Sequence, residues 1–156
     1  MLEDRTCLVT GGSRGIGRAI ATEFGRHGAD VVVNYRSSEA AAEATAEAID
    51  GTDGAAMTAQ ADVSEYGAVE AMRTAVHEEF GGVDVLVNNA GITADRRFEE
   101  MTREDWDRVM DVNLGGTFNC THCFFDDLRA AEEGRLINIS SVVGQQGNYG
   151  QANYAT

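Results

Sequence analysis

The residues best suited to chemistry form a glycine-rich turn near the start of the chain, at residues 10–17. The turn reads Thr-Gly-Gly-Ser-Arg-Gly-Ile-Gly, and Gly11, Gly15 and Gly17 give it the spacing Gly-x-x-x-Gly-x-Gly. An apolar run precedes it and a segment with helical spacing follows it, so the turn lies between a strand and a helix. Glycines at such a turn let backbone N–H groups approach a pyrophosphate, which the helix N-terminus also attracts. The sequence therefore predicts a dinucleotide site.

The end of the second predicted strand bears on which dinucleotide binds. An NAD site has Asp or Glu about 20 residues after the turn, to bind the ribose 2′-hydroxyl. This chain instead reads Asn-Tyr-Arg-Ser over residues 34–37 and has no acid there before Glu39. Arg36, and Arg14 from within the glycine turn, can both approach a 2′-phosphate. The pattern favours NADP(H); the alternative is that Arg36 is an ordinary solvated loop residue.

Alternating strands and helices must position these residues. Apolar and β-branched runs predict strands over 6–10, 31–34, 54–61, 83–88 and 135–141. Helical spacing predicts helices over 15–27, 38–49, 64–80 and 102–129, the last bent near the two glycines at 115–116. Ser38 and Ser64 are expected to cap their helices, and Gly28 to end the first one.

This alternation predicts a single α/β domain over residues 1–156. We expect a Rossmann-type, doubly wound parallel sheet with helices on both faces, of which this chain holds the five-stranded N-terminal portion and is incomplete at its C-terminus. Ligands of such sheets bind beyond the C-terminal ends of the strands, and the glycine turn falls there.

The charge balance excludes some partners. The chain has 26 acidic residues against 12 basic ones, a net charge of −14, and every basic residue is arginine. Phosphates would be repelled, so nucleic acid is not expected as a partner. No long apolar run or leader is seen, so we expect a cytoplasmic protein that does not bind membranes. The acidic, lysine-free composition favours a salt-rich cytoplasm; the alternative is a GC-rich genome with an acidic surface.

Three cysteines, Cys7, Cys120 and Cys123, are expected to pack in the core. The second and third have the spacing of a metal or redox pair, but they fall in mid-helix and no second pair completes a zinc site. We therefore expect no metal site, and the odd count without a leader favours a reducing compartment.

Short motifs further along the chain accompany the glycine turn. They are Asp62-Val63, Asn88-Asn89-Ala90-Gly91, Asn113 in Val-Asn-Leu-Gly-Gly-Thr-Phe, Ser141 at the end of Asn-Ile-Ser-Ser, and Tyr154. In this order, with Ser141 preceding Tyr154 by 13 residues, the sequence resembles the short-chain dehydrogenase/reductase family over the whole chain.

The resemblance implies roles for individual residues. Tyr154 would be the general acid at the substrate carbonyl, Ser141 would hydrogen-bond the carbonyl oxygen, and Asn113 would position a relay water. The implied cofactor contacts are Gly11, Ser13, Arg14, Gly15, Ile16, Gly17, Asn34, Tyr35, Arg36, Ser37, Asp62, Val63, Asn89, Ala90, Gly91 and Tyr154. An unperturbed phenol ionises only near pH ~10. The family relies on a lysine four residues after this tyrosine, a position beyond Thr156, so the 156-residue chain is expected to be nearly inactive.

Within the family, this sequence is similar to those of reductases that act on 3-oxoacyl thioesters. The stretches responsible are residues 89–93, 101–106 and 140–154. They imply NADPH-dependent reduction of acetoacetyl-CoA or of a 3-oxoacyl group on acyl-carrier protein, as in polyhydroxyalkanoate or fatty acid biosynthesis. They also imply a homo-oligomer, tetramer or dimer, in the full-length form. Two alternatives stay open: another short-chain ketoreductase such as a sugar or polyol dehydrogenase, and a non-catalytic nucleotide-binding fragment.

Overall fold

A five-stranded parallel sheet forms the centre of the computed structural model, which describes residues 2–156. Its strands are β1 (Thr6–Val9), β2 (Asp30–Tyr35), β3 (Ala56–Gln60), β4 (Val85–Asn88) and β5 (Arg135–Asn138). They lie in the order β3-β2-β1-β4-β5, and every neighbouring pair is parallel. The chain therefore crosses from one half of the sheet to the other between β3 and β4. This order confirms the predicted doubly wound, Rossmann-type sheet.

Helices connect the strands and cover both faces. They are α1 (Gly15–Arg26), α2 (Glu39–Asp50), α3 (Tyr66–Phe80), α4 (Arg103–Met110), α5 (Gly116–Cys123), α6 (Phe125–Ala130), α7 (Val143–Gln146) and α8 (Ala152–Ala155). A 3₁₀ turn at Phe98–Glu100 and a π-helical turn at Asp111–Gly115 complete the list.

Two apolar layers result because successive side chains of each strand point to opposite faces. Cys7 and Val9 of β1 pack toward the layer that includes Ala21 of α1 and Ile49 of α2. The intervening Leu8 joins the opposite layer, where α3 and α5 contribute buried residues: Val69, Met72, Val76 and Cys120. The sheet is therefore buried on both faces at its centre, as continuous apolar strands require.

The cysteines confirm the packing prediction in two cases. Cys7 and Cys120 are completely buried, and burial raises the pKa of each thiol to about 12. Cys123 is only partly buried, packed against the edge of the same layer as Cys120. Among residues 2–156, no three His, Cys, Asp or Glu side chains are grouped so that they could hold a metal ion.

Several element boundaries differ from the predictions. The expected cap at Ser64 is wrong: α3 begins at Tyr66, and the Ser64 hydroxyl donates instead to Asp62 Oδ1 at 2.6 Å. Ser38 does occupy the position before α2, but its side chain makes no capping hydrogen bond. Gly28 follows the last turn of α1 with φ +83°, as expected of a residue that ends a helix.

The long predicted helix is three helices and a π turn. Its expected bend at the two glycines lies at the end of the π turn, where Gly116 packs on the loop after β3. A Cβ at Gly116 would lie 2.6 Å from Val63 Cγ2, so only glycine allows this approach. A second break follows at Phe124, whose φ and ψ of −98° and 8° separate α5 from α6. The fifth strand likewise ends at Asn138, before Ser141.

Candidate active site

The glycine turn is shaped by backbone conformations and by one very close approach. Gly11 and Gly15 have φ of +64° and +56°, a region that side chains rarely adopt. Gly17 lies in the first turn of α1, directly against the Gly11 carbonyl, and a Cβ there would come within 2.5 Å of Asn89 Nδ2. The turn can therefore adopt this shape only with glycine at the three positions that define its spacing.

Hydrogen bonds from β4 brace the turn. The Thr10 hydroxyl accepts from the backbone N–H groups of Asn89 and Ala90, at 2.9 and 3.0 Å, and donates to the Val87 carbonyl. Asn89 Nδ2 donates to the carbonyls of Thr10 and Gly11, at 2.9 and 3.3 Å. These bonds join the turn after β1 to the end of β4. Thr10 was not among the predicted site residues, although it belongs to the motif.

A cleft of about 220 Å³ opens between the glycine turn and the ends of β2, β3 and β4. Most of the predicted cofactor contacts line it: Gly11, Ser13, Arg14, Asn34, Tyr35, Arg36, Ser37, Asp62, Val63, Asn89, Ala90 and Gly91. Gly15, Ile16 and Gly17 continue from the turn into α1, with the Ile16 side chain exposed. The lining residues that the sequence did not point to are Ser38, Ala61, Ile92 and Val112.

Two of the predicted contacts at the end of β2 have their side chains turned inward. Asn34 is 2% exposed; its Oδ1 accepts from the Gly11 N–H at 3.2 Å, and its Nδ2 donates to the carbonyls of Ala59 and Ala61. The side chain therefore holds the glycine turn against the end of β3. Tyr35 packs in the apolar layer beside α1 and α2. Both residues line the cleft, but the side chain of each is already bonded or packed within the protein.

Two arginines and one carboxylate, Asp62, are the charged residues that line this end of the cleft. Arg14 is exposed at the N-terminus of α1, and the Arg36 side chain is 53% exposed. The Arg36 guanidinium lies 3.8 Å from Asp62 Oδ2, a long and solvent-screened ion pair that leaves its other N–H groups available. Asp62 Oδ1 is engaged by the backbone N–H and hydroxyl of Ser64. The mouth of the cleft thus presents two guanidinium groups with N–H donors beside one carboxylate that is already hydrogen-bonded.

Asn113 lies in the π turn, and its side chain forms hydrogen bonds with the loop after β4. Its Oδ1 accepts from the Ile92 N–H at 2.9 Å, and its Nδ2 donates to the Ile92 carbonyl at 3.0 Å. The Asn113 carbonyl accepts from the Thr117 hydroxyl at 2.8 Å. Both the oxygen and the nitrogen of the side-chain amide therefore bond the backbone of Ile92, and the main-chain oxygen bonds Thr117 one turn further along.

Ser141 and Tyr154 are brought to the same side of the molecule by two short helices. Ser141 lies just before α7, where its Oγ accepts from the Val143 N–H at 3.2 Å. Tyr154 lies within α8, which packs against both α7 and α4. α4 leads directly into the π turn of Asn113. The three predicted catalytic residues thus stand on one connected group of helices.

A match to a family model decides the family. The model described as short chain dehydrogenase covers residues 5–156. The chain belongs to the short-chain dehydrogenase family. The resemblance predicted from the sequence is thereby confirmed.

Curated relatives within this family carry a common name. The chain is 46% identical over 150 residues to a 3-oxoacyl-(acyl-carrier-protein) reductase of Staphylococcus aureus, covering 96% of this chain and 61% of that protein. It is 44% identical over 151 residues to the enzyme of the same name from Staphylococcus epidermidis, with 97% of this chain and 62% of that one covered. A Synechocystis reductase is 44% identical over 154 residues, 99% of this chain and 62% of its own. The chain therefore spans about three-fifths of the length of these short-chain dehydrogenases.

Within the part of the chain that the structure describes, every helix is too short or too polar to cross a bilayer.

Proposed function

We propose that this chain forms the cofactor-binding and proton-donating part of an NADPH-dependent reductase that converts a 3-oxoacyl thioester to its 3-hydroxyacyl form. The observation that carries the proposal is the pairing of a glycine-braced cleft with exposed arginines at the mouth where the ribose would lie. The relatives named as 3-oxoacyl-(acyl-carrier-protein) reductases support the choice of substrate.

The cradle suits a dinucleotide phosphate. Gly11 and Gly17 let the turn pack closely on residues 89 and 90, since a Cβ at Gly11 would lie 3.1 Å from the Ala90 Cα and one at Gly17 would collide with Asn89 and the Gly11 carbonyl. The N-terminus of α1, which is 12 residues long, directs its free N–H groups at the space above the turn. Arg14 and Arg36 then supply the charge-assisted hydrogen bonds that a 2′-phosphate requires. When bound, the nicotinamide supplies the hydride.

The chain's own residues would handle the substrate oxygen. Tyr154 gives its phenolic proton to the carbonyl oxygen as negative charge develops there, and Ser141 donates a hydrogen bond that holds this oxygen. Asn113 fixes the loop at Ile92, which lines the cleft, and keeps its carbonyl oxygen at the π turn for a relay water. The carbonyl is thereby reduced to an alcohol, with the proton coming from Tyr154.

The test compares the 156-residue chain with a chimera that continues past Thr156 with the corresponding segment of the Staphylococcus aureus relative. We expect the chimera to oxidise NADPH in the presence of acetoacetyl-CoA or acetoacetyl-acyl-carrier protein, and the shorter chain to be nearly inactive. Tyr154→Phe in the chimera should lower kcat by about 10²–10⁴-fold, the usual contribution of a positioned acid. The ratio of kcat/KM for the two carriers identifies the physiological thioester.

Other outcomes separate the alternatives. A chimera that reduces no 3-oxoacyl thioester but does reduce a sugar ketone would place the protein among the polyol dehydrogenases. A chimera that binds NADPH tightly but reduces neither class would support a nucleotide-binding module. Full activity from the 156-residue chain, with its mass verified at 16.7 kDa, would show that Tyr154 needs no residue after Thr156.

A further inference from the structure

Asn153, immediately before Tyr154, has the most completely satisfied buried side chain near the proposed proton donor. It is 2% exposed. Its Nδ2 donates to the carbonyls of Ala94, at 3.1 Å, and Asp105, at 3.0 Å. Its Oδ1 accepts from the Tyr154 N–H at 2.9 Å. An asparagine amide has two N–H groups and one oxygen, and all three are used here.

The partners of Asn153 belong to two different parts of the fold. Asp105 lies in the first turn of α4, which a reciprocal pair of hydrogen bonds with Thr102 stabilises: the Thr102 hydroxyl accepts from the Asp105 N–H, and Asp105 Oδ2 accepts from the Thr102 N–H. Ala94 lies in the loop after β4. A buried amide that joins three segments is costly to remove, because each carbonyl left behind stays desolvated.

Neighbouring bonds align the same two segments. Gln151 Nε2 donates to both carboxylate oxygens of Asp95 at 3.0 Å, and the Arg96 N–H donates to the Gly150 carbonyl at 2.8 Å. Residues 94–96 therefore run beside residues 150–153, joined by contacts at three successive positions. The exposed contacts are weak singly, so the buried amide is the fixed point of this pairing.

The loop held by Asn153 is also held by Asn113. Asn113 binds both backbone groups of Ile92, and Asn153 binds the carbonyl of Ala94, two residues further along. Ile92 lines the cofactor cleft. A short, doubly anchored piece of backbone therefore connects the cleft to the residue that precedes Tyr154.

We propose that Asn153 is a positioning residue for Tyr154: it fixes the distance between the phenol and the cofactor cleft by clamping α8 to the loop after β4 and to α4. The inference rests on the proposed role of Tyr154 as proton donor. Catalysis is sensitive to such placement, because a displacement of about 1 Å at a reacting group can cost on the order of 100-fold in rate.

Fluorine NMR on the 156-residue chain tests this without cofactor or turnover. The chain has four tyrosines, so labelling with 3-fluorotyrosine gives four signals, and Tyr154→Phe assigns one of them. Asn153→Ala removes the clamp. Asn119→Ala is the matched control, because Asn119 is also buried and its Nδ2 also donates to two carbonyls, those of Val63 and Ser64.

We expect Asn153→Ala to move the Tyr154 signal by more than its linewidth, or to split it, while Asn119→Ala leaves it in place. Both variants should lower the melting temperature, which separates positioning from stability. Asn153→Ala should keep the NADPH dissociation constant within about twofold, since Asn153 is not among the residues lining the cleft. If circular dichroism shows that Asn153→Ala does not fold, Asn153→Ser, which keeps a small polar group, should give a smaller shift of the same signal.

An unmoved Tyr154 signal in the folded Asn153 variant would overturn the inference, as would equal shifts in the Asn153 and Asn119 variants. The result is independent of the proposed function. Failure of the chain to bind NADPH, or of the chimera to turn over, would refute the reductase assignment and leave the fluorine result unaffected.

Discussion

Replacing Arg36 by aspartate should reverse the preference for NADPH over NADH that we propose for this cleft. The Arg36 side chain is 53% exposed, and its only carboxylate neighbour among residues 2–156 is Asp62, 3.8 Å away. A ribose phosphate can therefore recruit its remaining N–H groups without breaking a strong ion pair. Arg36→Asp removes these donors and puts an acceptor where a 2′-hydroxyl can bind.

The size of the effect follows from the exposure of the site. Hydrogen bonds to a charged group contribute about 1.5–3 kcal/mol, and solvent at this half-exposed guanidinium reduces that to about 1–2 kcal/mol. Repulsion between the new carboxylate and the phosphate weakens NADPH binding by about 1 kcal/mol more. A hydrogen bond from the NADH ribose to the new carboxylate strengthens NADH binding by about 1 kcal/mol, which adds to the change in the ratio. The ratio of the two affinities should thus change by about 3–4 kcal/mol, or two to three orders of magnitude.

Quenching of tryptophan fluorescence, or NADPH fluorescence itself, gives both dissociation constants at a fixed salt concentration. Arg129→Asp is the matched control: it makes the same change of charge on α6, where Arg129 is exposed and forms an ion pair with Asp126. This control should alter both affinities equally and slightly. NADH binding as well as or better than NADPH in the unmodified chain would refute the reasoning. So would an Arg36→Asp variant that weakens both cofactors by the same factor.

Three further perturbations test the fold and its surface. Gly17→Ala should weaken NADPH binding at least tenfold and, in thermal melts, destabilise the chain by about 1–3 kcal/mol through overpacking against Gly11 and Asn89. Gly67→Ala is the control: a Cβ there in α3 meets nothing within 4 Å, so the variant should be neutral or stabilising in the same melts. Because the net charge is −14, the melting temperature should rise by at least about 5 °C between dilute buffer and molar KCl, and an unchanged or falling value would favour the GC-rich-genome alternative. Burial raises the pKa of the Cys7 and Cys120 thiols from 9.0 to about 12, so above pH 9 the unfolded chain loses protons that the folded chain retains, and stability should fall as the pH rises toward 12. A thiol reagent at pH 8 should modify Cys123 alone in the folded chain and all three cysteines in urea. Rapid modification of Cys7 or Cys120 in the folded chain would contradict their burial.

The sequence by itself determined the sheet and the glycine turn. Both depend on local properties: β-branched runs such as 31–33 favour strands wherever they are buried, and the spacing of Gly11, Gly15 and Gly17 leaves few alternatives to a tight strand-to-helix turn. The short motifs after β3 and β4 likewise stand at strand ends, because the alternation of elements places them there.

Only the tertiary structure decided how the polar side chains are used. Asn34 lies near the end of β2, as a ribose contact would, but its buried amide bonds the Gly11 N–H and the carbonyls of Ala59 and Ala61. Ser64 has the type of a helix cap, but its hydroxyl donates to Asp62 Oδ1 and α3 begins at Tyr66. For Asn34, local propensity cannot predict the outcome, because its partners Gly11, Ala59 and Ala61 lie on other segments.

The same reasoning explains why Asn153 gave no signal in the sequence. Its partners are carbonyls 48 and 59 residues away, and backbone carbonyls have no residue-type signature. The two glycines predict a bend in this helix but not the π turn at Asp111–Gly115, after which Gly116 packs closely on Val63. Local periodicity in the sequence predicts where strands and helices lie. Which distant backbone groups a buried side-chain amide will bond is decided only when those elements pack together.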